Sequence, residues 1–124
     1  YAKQNQLPYA VVRNKAGNFV AATLASTSAA VQGALPLLAK DVRNPIANSA
    51  APDGYPIAGL TFLLVYQQQK DPAKGRALVE FIHWAMHDGQ EMAADLDYAR
   101  LPEAVVAVNE KTLAGVSAGG QASR

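Results

Sequence analysis

The stretch Ile57-Ala-Gly-Leu-Thr-Phe-Leu-Leu-Val-Tyr66 is almost continuously apolar, and it restricts the folds open to this chain more than any other feature. It is about half as long as a membrane-spanning helix needs to be. It is rich in β-branched and aromatic residues and lies between turn-rich segments. Such a run predicts a strand buried on both faces, of the kind found inside sheets flanked by helices. A strand in that position also needs a neighbour on each edge, because its backbone donors and acceptors must be paired.

The remaining sequence offers few neighbours. Pro8 ends any helix that residues 1–6 belong to, and residues 9–13 then read as a strand. Asn14-Lys-Ala-Gly17 is a turn whose glycine can take a positive φ, and residues 18–21 return as the partner strand. These two short strands pair with each other. One central strand is therefore left without partners, and part of its sheet is expected from outside these residues, from missing chain or from another copy.

Helices account for most of the rest. Thr23 is placed as an N-cap before residues 24–32, with Gly33 as the natural stop. Between Lys40 and Pro56 turn chemistry dominates (Asn44-Pro45, Asn48-Ser49, Pro52-Asp53-Gly54), which marks a linker or boundary. Asp71-Pro72 supplies an N-cap and a proline at the first helical position. Leu78, Phe81, Ile82 and Ala85 then recur at helical spacing, so an amphipathic helix is expected from Pro72 to about Asp88, ended by Gly89. Residues 90–96 predict a second helix with Met92, Ala93 and Leu96 inward. Pro102 opens a third that carries Val105, Val106 and Leu113 to about Gly115. Residues 117–124 are small, polar and glycine-rich, and read as a loose tail.

The 124 residues suffice for one ordinary domain, and with half of them hydrophobic and 17% charged the chain can form a core. The formal net charge is +1 with no basic block, so nothing supports a nucleic-acid partner. There are no cysteines, which excludes disulfides, thiol catalysis and cysteine-type zinc sites. The chain opens on Tyr1 without a signal-peptide pattern, so any export signal is expected upstream.

Candidate chemistry is sparse. His83 and His87 are four apart on the predicted helix, a spacing that lets two imidazoles share a metal, and Arg76 and Glu80 lie on the same face. A zincin motif would need Glu where this chain has Trp84, and the Leu78–Ile82–Ala85 stripe points the other way. The incomplete motif favours histidines on a solvated face over a metal site. Thr23, Ser26, Thr27 and Ser28 place hydroxyls near a helix N-terminus, where they could hold an anion, but no arginine or glycine-rich loop accompanies them and local capping explains them as well. At the Pro72 helix, Asp71 already puts a negative charge where an anion would sit. No Gly-x-Ser-x-Gly elbow exists, and Asp95 and Asp97 are too close in sequence to face each other from one helix. Trp84 and Phe81 read as packing residues. Nothing in the pattern points to an enzyme, a metal or a cofactor.

Asp53-Gly-Tyr-Pro-Ile57, Thr61-Phe62, the helix with Phe81 and Trp84, Gly89, and Leu96-Asp-Tyr-Ala-Arg-Leu-Pro102 followed by Val105-Val106 together resemble the C-terminal end of the periplasmic phosphate-binding proteins of the Pst ABC transporter. Tyr1-Ala-Lys-Gln-Asn-Gln-Leu7 and Asn14-Lys-Ala-Gly17 resemble the part that precedes it. The likeness weakens between Thr23 and Ser49 and is absent around Gly119-Gly120; Tyr55 stands where many relatives carry Trp.

The resemblance implies an α/β fold: the C-terminal portion of a two-lobed type II binding protein that captures inorganic phosphate and delivers it to a membrane permease. By it, residues 1–52 end the second lobe, 53–66 return through the hinge as the central strand of the first lobe, 67–116 are its helical completion, and 117–124 are a tail. One long strand, a short hairpin and about four to five helices are expected, in a sheet incomplete without the N-terminal half or a second copy. The family's phosphate ligands lie in motifs absent from this sequence, with no Gly-Ser-Thr-Phe-like turn and no Arg-x-x-x-Ser-Gly-Thr, so no residue is assigned to phosphate, and Arg13 and Arg43 are not matches. The location implied is periplasmic. The alternative is a self-associating structural module with no ligand of its own.

Overall fold

Asn14 and Gly17 close the first element. Gly17 adopts φ 92°, and its N–H donates to the Asn14 carbonyl at 2.9 Å. This turn joins β1 (Val12–Arg13) to an antiparallel β2 (Phe19–Val20), with Val12 opposite Val20. The hairpin expected from the sequence is present, in shorter form. The computed structural model describes residues 2–118 and 121–122. The stretch before Pro8 is a run of turns with Gln6 at φ 53°, and among the described residues it forms no helix.

Helix α1 spans Leu24–Leu38. Thr23 caps it as expected: its Oγ1 accepts from the Ser26 N–H, and Ser26 Oγ accepts from the Thr23 N–H, a reciprocal box that satisfies two end donors. The expected stop at Gly33 does not occur. Gly33 is interior because the chain returning through Ser49–Ala51 passes close above it, and a Cβ there would sit 2.6 Å from the Ala51 nitrogen. The helix even crosses Pro36 and ends with Leu38 buried. A proline removes one helical hydrogen bond, and buried residues on both sides of it, Ala34 before and Leu38 after, favour continuing the helix through it.

Residues 39–57 are irregular, as their turn chemistry predicts, and they fold back on α1. Ile46 and Ala58 join Ala30, Val31, Ala34 and Leu38 in one buried cluster, and Tyr55 N–H donates to the Ser26 carbonyl.

The largest departure from expectation is the apolar run. It forms no strand among the described residues. Leu64 is 96% exposed, Tyr66 85% and Ile57 69%, while Ala58, Leu60 and Val65 touch the interior. The physical reason is the one the sequence raises: a ladder strand needs edge partners, and this chain has none to offer there. A strand appears only past its end, where β3 (Gln68–Gln69) pairs in parallel with β4 (Ser117–Ala118), which pairs antiparallel with β5 (Gln121–Ala122). The start of the expected loose tail is thus held in a small sheet. Residues 119–120 and 123–124 of that tail lie outside the described residues.

Helix α2 (Pro72–Met86) starts where predicted, with Asp71 Oδ1 accepting from the Ala73 and Lys74 N–H groups. It turns at His87 into two short 3-10 turns, Asp88–Met92 and Ala94–Leu96. These replace the second expected helix, and they do not bury it: Met92 and Leu96 are exposed. Asp97 then takes φ 61°, and its carboxylate pairs with Lys3. Helix α3 (Glu103–Leu113) follows Pro102 as expected, with Val105 and Leu113 buried. Ile82, Met86, Leu113 and Val116 form a second cluster with Leu78, Val79, Val106 and Val65 around it, and Val105 reaches the first. The result is an α/β chain of three α-helices, two 3-10 turns and two small sheets among the described residues.

Candidate functional site

Packing of Ile82 and Met86 of α2 against Leu113 and Val106 of α3 fixes what lies on the rim of that contact. His83 lies in the last turn of α2 and His87 is the residue that caps its C-terminus, and their rings stack with centroids 4.4 Å apart. Glu110 projects from α3 between Val106 and Leu113 in helical spacing, and its Oε1 lies 2.8 Å from His87 Nε2 and 3.6 Å from His83 Nε2. One ligand atom from each of the three residues falls within 4.8 Å of the others. The histidine side chains are 58% and 43% exposed, so they occupy the solvated face that the apolar stripe predicts.

Glu110 is the residue that sequence reasoning missed. It lies 23 positions after His87, and only the α2–α3 contact brings the two together. The available signal was its place beside the Val106–Leu113 stripe, which puts its side chain at the helix–helix seam. Glu80, expected on the same face as the histidines, is not part of the cluster.

Beside this cluster an open groove of about 680 Å³ runs between His87, Met86, Arg100, Leu101 and Glu110. Gln90 shapes its wall. Its Nε2 donates to the Ala85 carbonyl at 2.7 Å and its Oε1 accepts from the Leu101 N–H at 2.8 Å, so one side chain ties the end of α2 to the strap before α3.

The other candidates are occupied locally. Ser26 Oγ donates to the Ala21 carbonyl at 2.6 Å, and Thr27 Oγ1 donates to the Thr23 carbonyl at 2.8 Å. These hydroxyls cap and brace α1 and present no built anion cradle. Arg13 Nε donates to the Gly17 carbonyl. Arg43 clamps Asp41 through Nη2 at 2.6 Å and Nε at 2.9 Å, and with its own backbone N–H this holds the Asp41 carboxyl down at about 2. Phe81 and Trp84 form a tilted ring pair 5.9 Å apart on the outer side of α2, where they are more exposed than core packing implies.

The run from Ile57 to Tyr66 is an apolar segment that lies open between the two cores, with Ile57, Leu63, Leu64 and Tyr66 exposed. No family model matches the chain. Curated relatives do. Over 106 residues, 86% of this chain, it is 35% identical to the phosphate-binding protein PstS of Pasteurella multocida and, over the same share, to that of Xylella fastidiosa. The chain is PstS-like. The PstS of Methanocaldococcus jannaschii is 29% identical over 120 residues, 87% of this chain. The PstS-like stretch spans less than a third of each of these relatives, 31%, 29% and 31% of their lengths.

Proposed function

We propose that this chain is the C-terminal segment of a solute-binding protein that captures inorganic phosphate outside the cytoplasmic membrane and hands it to an ABC permease. The observation that carries this reading is the PstS similarity over 86% of the chain. In this reading residues 1–52 end the second lobe, 53–66 return through the hinge, 67–116 complete the first lobe and 117–124 follow as a tail. The phosphate ligands lie outside the segment, in which Ser26, Thr27, Arg13 and Arg43 are engaged locally. The segment is scaffold within a parent whose role is binding and delivery rather than catalysis.

The uncovered apolar run supports the same assignment. Leu63, Leu64 and Tyr66 are large, apolar and exposed, a costly arrangement for a free surface. In the proposed parent they are covered by strands of the N-terminal half, or by a second copy. That pairing also satisfies the backbone groups of residues 57–66.

Calorimetric titration tests both parts. The isolated chain is expected to give no 1:1 phosphate heat, whereas the chain joined to the N-terminal half of its parent is expected to give one. A 1:1 signal from the isolated chain would overturn the placement of the ligands. No signal from the longer protein would overturn the phosphate assignment itself. Light scattering separates the two covers, since coverage by a second copy requires a dimer.

A further inference from the structure

We propose that His83, His87 and Glu110 form a binding site for one divalent transition-metal ion, with zinc as the reference ion. The inference stands apart from phosphate uptake and rests on the α2–α3 geometry alone. Two imidazoles one helical turn apart and a carboxylate from a second helix make a three-ligand set of the type that leaves one position of a tetrahedral zinc site open. Bonds of 2.0–2.2 Å in a tetrahedron place ligand atoms about 3.4 Å apart. The observed 2.8 Å and 3.6 Å from Glu110 Oε1 to the two Nε2 atoms bracket that spacing. All three ligand atoms lie within 4.8 Å, and the side chains are exposed enough for small rotations to close the difference.

The donor chemistry selects the ion. Imidazole pairs favour zinc, copper and nickel over magnesium and calcium, which take oxygen ligands. The ring nitrogen that each histidine turns toward Glu110 binds the ion through its lone pair, so a proton and the metal compete for it. His87 and Glu110 also line the groove beside Arg100, so the fourth position opens to water. A bound ion bridges α2 to α3 and therefore stabilises the fold in proportion to its occupancy.

The test is zinc titration of the chelator-treated protein at pH 7.5, followed by calorimetry and by thermal melting. One zinc per chain and a melting temperature that rises with zinc are expected. Loss of an outer partner alone weakens metal sites by roughly 10–100-fold, so His87→Ala and Glu110→Gln should each weaken binding by at least about tenfold. Zinc should also protect both histidines of the unaltered protein from diethyl pyrocarbonate, a readout that needs no variant. Binding of less than one zinc per chain, or absence of histidine protection, overturns the site. Unchanged affinity in Glu110→Gln overturns the three-ligand assignment.

Discussion

Asn14 Nδ2 donates to the Pro52 carbonyl at 2.8 Å and, at 3.2 Å, to that of Gly54, 40 residues away. Its Oδ1 accepts from the Ala16 and Asn18 N–H groups, both at 3.1 Å. The side chain is buried and fully used, so it holds the hairpin's shape and fastens the hairpin to the loop over α1. Asn14→Ala removes this acceptor from the Ala16 and Asn18 N–H groups and this donor from the Gly54 carbonyl, while the Pro52 carbonyl keeps the Asn18 Nδ2 donor at 2.8 Å. A loss of about 2–3 kcal/mol is expected from the usual cost of stranded buried polar groups, read as a lowered denaturant midpoint.

Gly33→Ala tests the close approach over α1. Helix propensity alone makes the change favourable by about 1 kcal/mol. The new Cβ would meet the Ala51 nitrogen at 2.6 Å and Ser49 Oγ at 2.7 Å, so overpacking of about 1–3 kcal/mol should win. A lowered melting temperature is the expected outcome; a raised one would show that the loop yields.

Thr23→Ala removes one half of the capping box at α1. Loss of about 1 kcal/mol is expected, and Thr23→Ser should restore most of it, since the hydroxyl is the working group.

Acid should weaken the Asp41–Arg43 clamp in a defined window. The folded-state carboxyl is held at about 2, below its ordinary 3.8, by the Arg43 guanidinium and then by the Arg43 backbone N–H. A depressed carboxyl favours the folded state above its unfolded value. The contribution is therefore whole above pH ~4 and fades as pH falls toward ~2. Asp41→Asn is expected to flatten the pH–melting curve within that window and to leave the curve above it parallel.

Leu63→Ser with Leu64→Ser addresses the uncovered run. Both side chains are exposed, so the melting temperature of the isolated chain should move little, within about 0.5 kcal/mol. Concentration-dependent association, followed by light scattering, should fall. An unchanged association would mean that this run is not the sticky surface.

Local chemistry was the legible part of this fold. The Asp71-Pro72 start of α2, the Thr23 cap and the Asn14–Gly17 turn each depend on a few neighbouring residues, and the structure has all three. Residues whose roles depend on distant chain were misread. Gly33 looks like a stop until Ala51 is seen above it, and Met92 and Leu96 look inward until the segment proves to be 3-10 turns with no core beneath. The run from Ile57 to Tyr66 has the composition of a buried strand, but composition cannot supply the neighbours that make one. The metal cluster was half legible: the His83–His87 spacing was visible, whereas Glu110 needed the packing of α3.

Helix α3 places Val105 in one apolar cluster and Val106 with Leu113 in the other. Eleven residues are thus a principal physical link between two small cores. Cooperativity of unfolding hinges on that link. Loosen it, and the α1 half and the α2 half should melt as separate transitions; cover the open run between them, and they should melt as one.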